Sequence, residues 1–263
     1  MAPRSFWKGY LKLSLVTCPV NMLPATTDSE KVRFHTMNAK TGHRLVSQYV
    51  DAVTGKPVAE DDEVKGYPRG EDDFVVLEED EVDAVALEST HTINIDMFVP
   101  AASIGTIWFD TPHYLVPSDT VGEEAFSVIR DAMASSKTVG ISRVVLYRRE
   151  RAVLLQPRGP GIVLWTLHYG DEVRNADDYF DKDMAQKPDA QLVTMITKLI
   201  EERTAPWTAK MVADPVQDKL LHIIAAKNKG RKRPIKAPQV PRDNVVNILD
   251  ALKKSLAADK TNH

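Results

Sequence analysis

The stretch Val139–Arg174, VGISRVVLYRRERAVLLQPRGPGIVLWTLHYGDEVR, decides the fold. It holds three apolar runs, Val144 to Tyr147, Ala152 to Leu155 and Ile162 to Leu167, each short, rich in β-branched residues and bounded by turn signals. Such runs read as consecutive antiparallel strands of a sheet buried on both faces. The first turn carries Arg148, Arg149, Glu150 and Arg151. The second, Gln156 to Gly161, carries Arg158. Charge excluded from a buried sheet collects at its ends, and guanidinium groups gathered there suit a polyanion.

Outward from this stretch, Tyr10 to Val16 alternates through Leu11, Leu13 and Leu15 as a half-buried strand ended by Cys18-Pro19. Lys31 to Met37 and Leu45 to Asp51 are strand candidates joined by the connector Asn38 to Arg44, a hairpin. Asp61 to Gly70 reads as loop, Phe74 to Leu77 as a strand, and Glu78 to Ala84 as a short acidic helix. Thr90 to Val99 alternates through Ile93, Ile95 and Met97. Pro100, Pro112 and Pro117 then punctuate short segments around Trp108 and Tyr114. A helix follows Gly122, with Phe126, Ile129 and Met133 on one face.

Beyond the core strands the period changes. Leu192, Met195, Ile196 and Leu199 fall at helical spacing in Leu192 to Arg203. Val216, Leu220, Ile223 and Ile224 do the same in Pro215 to Lys227. Two amphipathic helices read as an α-helical arm whose stripe needs a partner surface. A basic, proline-punctuated linker leads to a last short helix, Asp243 to Ala258, with Val246, Leu249 and Leu252 on one side. No internal repeat is read at any fixed period.

Composition excludes several classes. One cysteine, Cys18, rules out an internal disulfide and fits a reducing cytosol. No apolar run approaches a membrane span, and the start of the chain has no hydrophobic signal core. The formal charge is −3, yet from Glu201 onward there are 13 Lys+Arg against 7 Asp+Glu, which leaves −9 for the preceding residues. A small bulk charge can hide a basic stripe.

Catalytic signatures are weak. Neither a phosphate-cradling glycine loop, nor a nucleophile elbow, nor a paired-histidine zinc motif is present. The acidic cluster Asp72, Asp73, Glu78, Glu79, Asp80, Glu81 and Asp83 is nearly contiguous, so its carboxylates point several ways. It reads as a solvated face, not a two-metal nuclease. His35 reads either as a core histidine or as a phosphate contact. The cations form two sets. Lys31, Arg33, Lys40, His43, Arg44 and Lys56 fall on the hairpin region, and Arg143, Arg148, Arg149, Arg151 and Arg158 on the core strands and turns. Neither a major-groove helix nor single-strand stacking motifs accompany them. Phosphate contacts of this kind bind duplex without reading sequence.

The run Arg-Val-Val-Leu, Arg-Glu-Arg, Leu-Leu-Gln-Pro-Arg-Gly and Thr-Leu-His-Tyr-Gly-Asp-Glu-Val-Arg resembles the core of the Ku family in its short bacterial form. Trp7-Lys8-Gly9, Leu15-Val16, Pro19-Val20, Arg33-Phe34-His35 and Phe98-Val99-Pro100 match as well, so the likeness covers nearly the whole chain. The resemblance implies a mixed β/α chain. Residues 1–190 would form a β-barrel core with an extended strand bridge at about 31–67. Residues 191–230 would be a helical arm that dimerises through Leu192, Met195, Leu199, Leu220 and Ile223. Residues 231–263 would form a linker and a partner-binding helix.

It further implies a homodimeric ring on double-stranded DNA ends, recruitment of the ATP-dependent ligase D through Val246, Leu249 and Leu252, and a cytoplasmic, nucleoid-associated protein. No enzymatic activity, metal, cofactor or membrane is implied. A hairpin arm of roughly 15 residues reaches about 50 Å, more than halfway round a duplex. Several relatives carry Cys-x-x-Cys where this chain has Val50 to Val53, a departure that leaves the turn to hold itself. The long lysine-rich tail of some relatives is absent, as are the von Willebrand-like and SAP domains of the eukaryotic ones. The alternatives are a scaffold without a DNA role and, behind it, a metal-dependent nuclease that uses the acidic cluster.

Overall fold

The structure, a computed structural model, describes residues 5–71, 73–85, 90–180 and 188–230. The chain divides into two compact units. One comprises the N-terminal segment up to Glu30 together with Phe34–Arg174, the other Lys31–Arg33 together with the chain from Asn175 onward.

The first unit is organised by a closed seven-stranded barrel. Its strands are β1 (Trp7–Leu13), β2 (Val16–Pro24), β5 (Thr92–Pro100), β6 (Phe109–Pro117), β7 (Thr138–Leu146), β8 (Arg149–Arg158) and β9 (Gly161–Leu167). They pair in the order β1-β2-β6-β9-β8-β7-β5, and the parallel pairing of Tyr10–Lys12 with Thr92–Asn94 shuts the tube. A separate two-stranded ribbon, β3 (Lys65–Gly70) with β4 (Asp73–Leu77), precedes the short helix α1 (Glu79–Ala84).

The three core runs are consecutive antiparallel strands, as their pattern predicts, but longer than read. The second turn shrinks to Gly159-Pro160, because Gln156 to Arg158 belong to β8 and pair with β9. The first turn is Tyr147-Arg148 alone, between the paired Leu146 and Arg149. Both residues are left-handed, at φ 51° and 64°. This is the primed geometry that matches strand twist and that Asn-Gly usually supplies; in non-glycine residues it costs roughly 1–2 kcal/mol each.

Inward-facing Leu11, Cys18, Val20, Met22, Ile93, Leu115, Val153, Leu155, Ile162 and Leu164 fill the barrel. Burial raises the pKa of the Cys18 thiol, which makes it an inert core residue. Helix α2 (Thr120–Ser136), between β6 and β7, packs on β2, β6, β7, β8 and β9. It buries Phe126, Ile129 and Met133, each worth about 1.5–3 kcal/mol. Arg130 Nη1 donates to the Pro160 carbonyl at 2.7 Å, which ties α2 to the β8–β9 turn.

Several sequence expectations are corrected. The alternation from Tyr10 to Val16 crosses a turn. β1 ends at Leu13, Ser14 takes φ 55°, Leu15 is 95% exposed, and Cys18-Pro19 lies inside β2. Pro19 sits one residue before β2 begins to pair with β6, so no ladder hydrogen bond is lost there. The segment read as proline-punctuated pieces is one strand, β6, with Pro112 at a register shift and Pro117 at the end. Met97 is exposed because the register shifts between Ile95 and Met97. Gly122 does not precede α2. It lies in the first turn, donating to the Asp119 cap at 2.8 Å, where a Cβ would stand 2.8 Å from Pro19. Asp61 to Gly70 is not loop throughout, since Lys65–Gly70 forms β3. Lys31 to Met37 and Leu45 to Asp51 are not ladder strands. Among the described residues they make only the isolated bridges Met37–Arg44 and Val50–Pro57.

The second unit holds α3 (Ala190–Arg203) and α4 (Pro215–Asn228), capped by Asp189 and Asp214. Within this unit Val32 donates its N–H to Gln217 Oε1 of α4. The expected helix Asp243 to Ala258 lies outside the described residues.

His113 on β6 is 6% exposed, stacks on Phe6 at 5.5 Å, and has no hydrogen-bond partner at Nδ1. Burial lowers its pKa, against weaker opposing effects of the Thr111 backbone and Asp110. The unfolded chain therefore takes up the proton first, and stability falls as pH drops below about 6.5. The melting temperature should decline from pH 7.5 to pH 5.5, and His113→Phe should flatten that slope, measured by thermal melts across the range.

Candidate nucleic-acid interface

The barrel arginines are not equivalent. Arg148 Nη1 lies 2.7 Å from Asp83 Oδ1, so the β7–β8 turn is tied to α1. Arg143 Nη1 meets Glu150 Oε2 at 3.0 Å across the same hairpin. Arg151 covers the Tyr169 ring at 4.9 Å, and Tyr169 Oη donates to the Glu150 carbonyl at 2.7 Å. The Tyr169 N–H donates to Glu172 Oε2 at 2.9 Å and holds that carboxyl below its usual pKa, with help from His168. Exposed contacts of this kind add little stability, and they orient the guanidinium groups without withdrawing them from an anionic ligand. Arg149 and Arg158 form no ion pair among the described residues. Arg158 borders a shallow cavity of about 310 Å³ with Tyr114, Pro160 and Val163.

The second set lies on the excursion between β2 and β5. Lys40, Arg44 and Lys56 are exposed there. His35 is exposed as well, so the core-histidine alternative falls. Lys31 and Arg33 group instead with the second unit. Among the described residues, no side chain between Met22 and Ile93 is buried. Phe34 (69% exposed), Val46 (88%) and Tyr49 (72%) have no core to enter.

What fixes this excursion is a pair of side-chain-capped turns. Asp51 Oδ1 accepts from the N–H groups of Val53 and Thr54 at 2.9 and 2.7 Å, which holds its carboxyl below the usual Asp range. The acidic cluster has structural employment too. Glu78 and Glu81 form a capping box on α1, Asp73 meets Arg69 at 2.9 Å, and Asp83 meets Arg148. Asp72 lies outside the described residues. No group of three or more His, Cys, Asp or Glu suited to a metal occurs among the described residues.

In the arm, Leu192, Met195, Leu199, Leu220 and Ile223 are half-buried. Exposed apolar residues adjoin them: Ile196, Val216 and Ile224, already on the stripes read from the sequence, and Val193, Ile200 and Leu221, which that reading did not single out. At about 100° per residue these widen the same apolar face of each helix, and a face that broad has surface left to cover.

A family model described as the Ku70/Ku80 beta-barrel domain matches residues 12–195. The chain belongs to the Ku family. It is 59% identical over 261 residues to a Non-homologous end joining protein Ku from Methylocella silvestris, covering 97% of this chain and 96% of that one. It is 58% identical to the protein of that name from Gluconacetobacter diazotrophicus, covering 99% and 100%. The likeness extends to Archaeoglobus fulgidus at 31% identity, covering 98% and 100%. The barrel with C-terminal helices is thus the Ku barrel, and the coreless excursion is an insertion between two of its strands. Among the described residues no helix is long and apolar enough to cross a membrane.

The Asp51 turn should titrate. Its carboxylate favours the folded turn at neutral pH, and that contribution is lost as pH falls through its lowered pKa. The amide resonances of Val53 and Thr54 should shift together in an acid titration, with a midpoint below the ordinary Asp value near 3.9. Lys40 and Thr41, capped by the non-titrating Asn38, should not follow.

Proposed function

We propose that this chain is a homodimeric ring that binds double-stranded DNA ends without sequence preference, protects them and recruits ligase D for non-homologous end joining. The observation that carries the reading is the excursion from Ala25 to His91. It leaves and rejoins a closed barrel, buries no described side chain, and bears exposed Lys40, Arg44 and Lys56. Ordered backbone without a core gains from a ligand to lie against, and its cations suit phosphate. The relatives' printed name, Non-homologous end joining protein Ku, supports the same reading.

The ring needs a second copy. The broad, partly exposed apolar faces of α3 and α4 support this, with Leu192, Met195, Leu199, Leu220 and Ile223 joined by Val193, Ile196 and Ile200 as interface residues. On the DNA side the proposed contacts are Lys31, Arg33, His35, Lys40, Arg44, Lys56, Arg143, Arg148, Arg149, Arg151 and Arg158. Recruitment of ligase D by Val246, Leu249 and Leu252 rests on the family resemblance, since these residues lie outside the described ones. The engagement of Asp73, Glu78, Glu81 and Asp83 in caps and ion pairs supports a binding protein over a nuclease. A protein acting on DNA in this way belongs in the cytoplasm, at the nucleoid.

A threaded ring needs an end. Sedimentation should show a dimer that binds linear duplex and leaves covalently closed circles of equal length largely free. Equal affinity for both forms, or a protomer that stays single at working concentration, overturns the reading.

Counterion release sets a second expectation. The log–log slope of affinity against salt should flatten by about 0.9 for each phosphate contact removed. Arg149→Ala and Arg158→Ala should each flatten it by that amount. An unchanged slope removes the residue from the contact set.

A further inference from the structure

The excursion contains one turn built twice. Asn38-Ala39-Lys40-Thr41-Gly42-His43 and Asp51-Ala52-Val53-Thr54-Gly55-Lys56 share the pattern Asx-Ala-x-Thr-Gly, followed by a basic residue. Their hydrogen bonds correspond one for one. Asn38 Oδ1 accepts from Lys40 and Thr41 N–H at 2.9 and 3.3 Å, as Asp51 Oδ1 does from Val53 and Thr54. Gly42 donates to the Asn38 carbonyl and Gly55 to the Asp51 carbonyl, each at 2.8 Å. Asn38 N–H reaches His43 O at 2.8 Å, and Asp51 N–H reaches Lys56 O at 2.9 Å. His43 and Lys56 donate to Thr41 and Thr54 Oγ1, each at 3.4 Å.

Outside each turn the same two closures follow. Met37 bridges Arg44 and Val50 bridges Pro57; Leu45 donates to Thr36 O and Val58 to Tyr49 O. Both glycines are left-handed, at φ 72° and 67°. The repeat that no fixed period announced is therefore a tandem pair.

Two consequences follow. The N–H groups from the third to the sixth position of each turn all donate inward, so these turns have no amide nest to offer an anion. Any grip on phosphate falls to side chains. With no buried side chain nearby, the capping oxygen is also what holds each turn in shape, a role that short polar residues fill by bonding N–H groups two and three positions on.

We propose that Asn38 and Asp51 are matched positioning residues: they lock two copies of one turn so that Lys40, His43 and Arg44 from the first and Lys56 from the second meet the phosphates of a single duplex together. This rests on the DNA-end reading above and adds the residues that make its contacts simultaneous. Two contacts presented on one preorganised ribbon hold longer than the same cations on a loose loop, because less ordering is left to be done on binding.

The test uses the full chain with a linear duplex. Asn38→Ala and Asp51→Ala leave every cation in place. Each should nonetheless weaken binding roughly three- to tenfold, the scale set by losing one such cap, mainly through faster dissociation. Amide exchange should accelerate in 36–45 for the first variant and in 49–58 for the second, while the melting of the barrel stays put. Asn38→Asp and Asp51→Asn keep the accepting oxygen and should restore binding, which a loss of charge or of general stability would not do. If an alanine variant is not recovered folded, Thr41→Val and Thr54→Val, which remove the other side-chain acceptor, are read in its place with the same direction expected.

Alanine variants whose turns open by exchange but whose dissociation matches the parent overturn the proposal, as does failure of the conservative variants to restore binding. A parent chain that does not bind linear duplex at all sinks the DNA reading itself and is distinguishable from either result.

Discussion

Three residues of parallel pairing, Tyr10–Lys12 against Thr92–Asn94, turn a six-step antiparallel sheet into a closed tube, and the rest follows from that closure. A closed barrel has no edge to extend and an interior of fixed size. Leu11, Met22, Ile93, Leu115, Leu155 and Leu164 together with the α2 side chains already fill this one. The chain between β2 and β5 joins neighbouring regions of the barrel wall yet cannot enter it. It has to run outside, and its ordering must come from local hydrogen bonds. That no described side chain is buried there is thus a consequence of where the barrel closes.

The electrostatics obey the same division. Charge is excluded from the barrel interior, so the arginines of β7 and β8 stay at least partly exposed, Arg143 within β7 and the others at or beside the hairpin turns, and Glu150, Asp83 and the Tyr169 ring hold Arg143, Arg148 and Arg151 in place. Exposed pairs of this kind add little stability. Their effect is geometric, since a guanidinium with a fixed neighbour has fewer rotamers to give up when a second anion arrives. The slight negative formal charge of the whole chain therefore says nothing about the sign of the local surface around these residues, or around the exposed lysines of the excursion.

The β7–β9 strands were legible because strands buried on both faces must be apolar at nearly every position, and few other structures allow that over so short a run. Helix α2 was legible because Phe126, Ile129 and Met133 repeat at helical spacing. The failures have equally local causes. Prolines at 19, 112 and 117 suggested breaks, but each sits where the ladder asks for no N–H, at the start of a pairing, at a register shift or at a strand end. Ser14 turns the chain in a left-handed conformation that its identity does not announce. Of the candidate site, the cations were plain, but which arginines carry local partners was not, because Arg148–Asp83 joins residues far apart in sequence. The stripes of α3 and α4 were legible at their centres, Ile196, Val216 and Ile224 included, whereas Val193, Ile200 and Leu221 at the margin of the same face were not, because strict spacing picks out the middle of a broad apolar face.

Both turns were legible as turns, and what escaped was their likeness to each other, for a different reason. Only the Asx, Ala, Thr and Gly positions are shared, and a search for a long period passes over a motif that occurs twice, 13 residues apart. Its meaning is thermodynamic. Fixing the backbone costs about 1–2 kcal/mol per residue, and a barrel meets that cost with buried area. A ribbon without a core has only short-range bonds to set against it, so it sits near the low end of the local stability range. Order around the two turns is set by Asn38, Asp51 and their threonines, through bonds made within the excursion. Stability and binding in this protein are then separable properties: a change in the wall moves the melting temperature, whereas a change in a capping oxygen leaves the melt alone and alters what the exposed cations can hold.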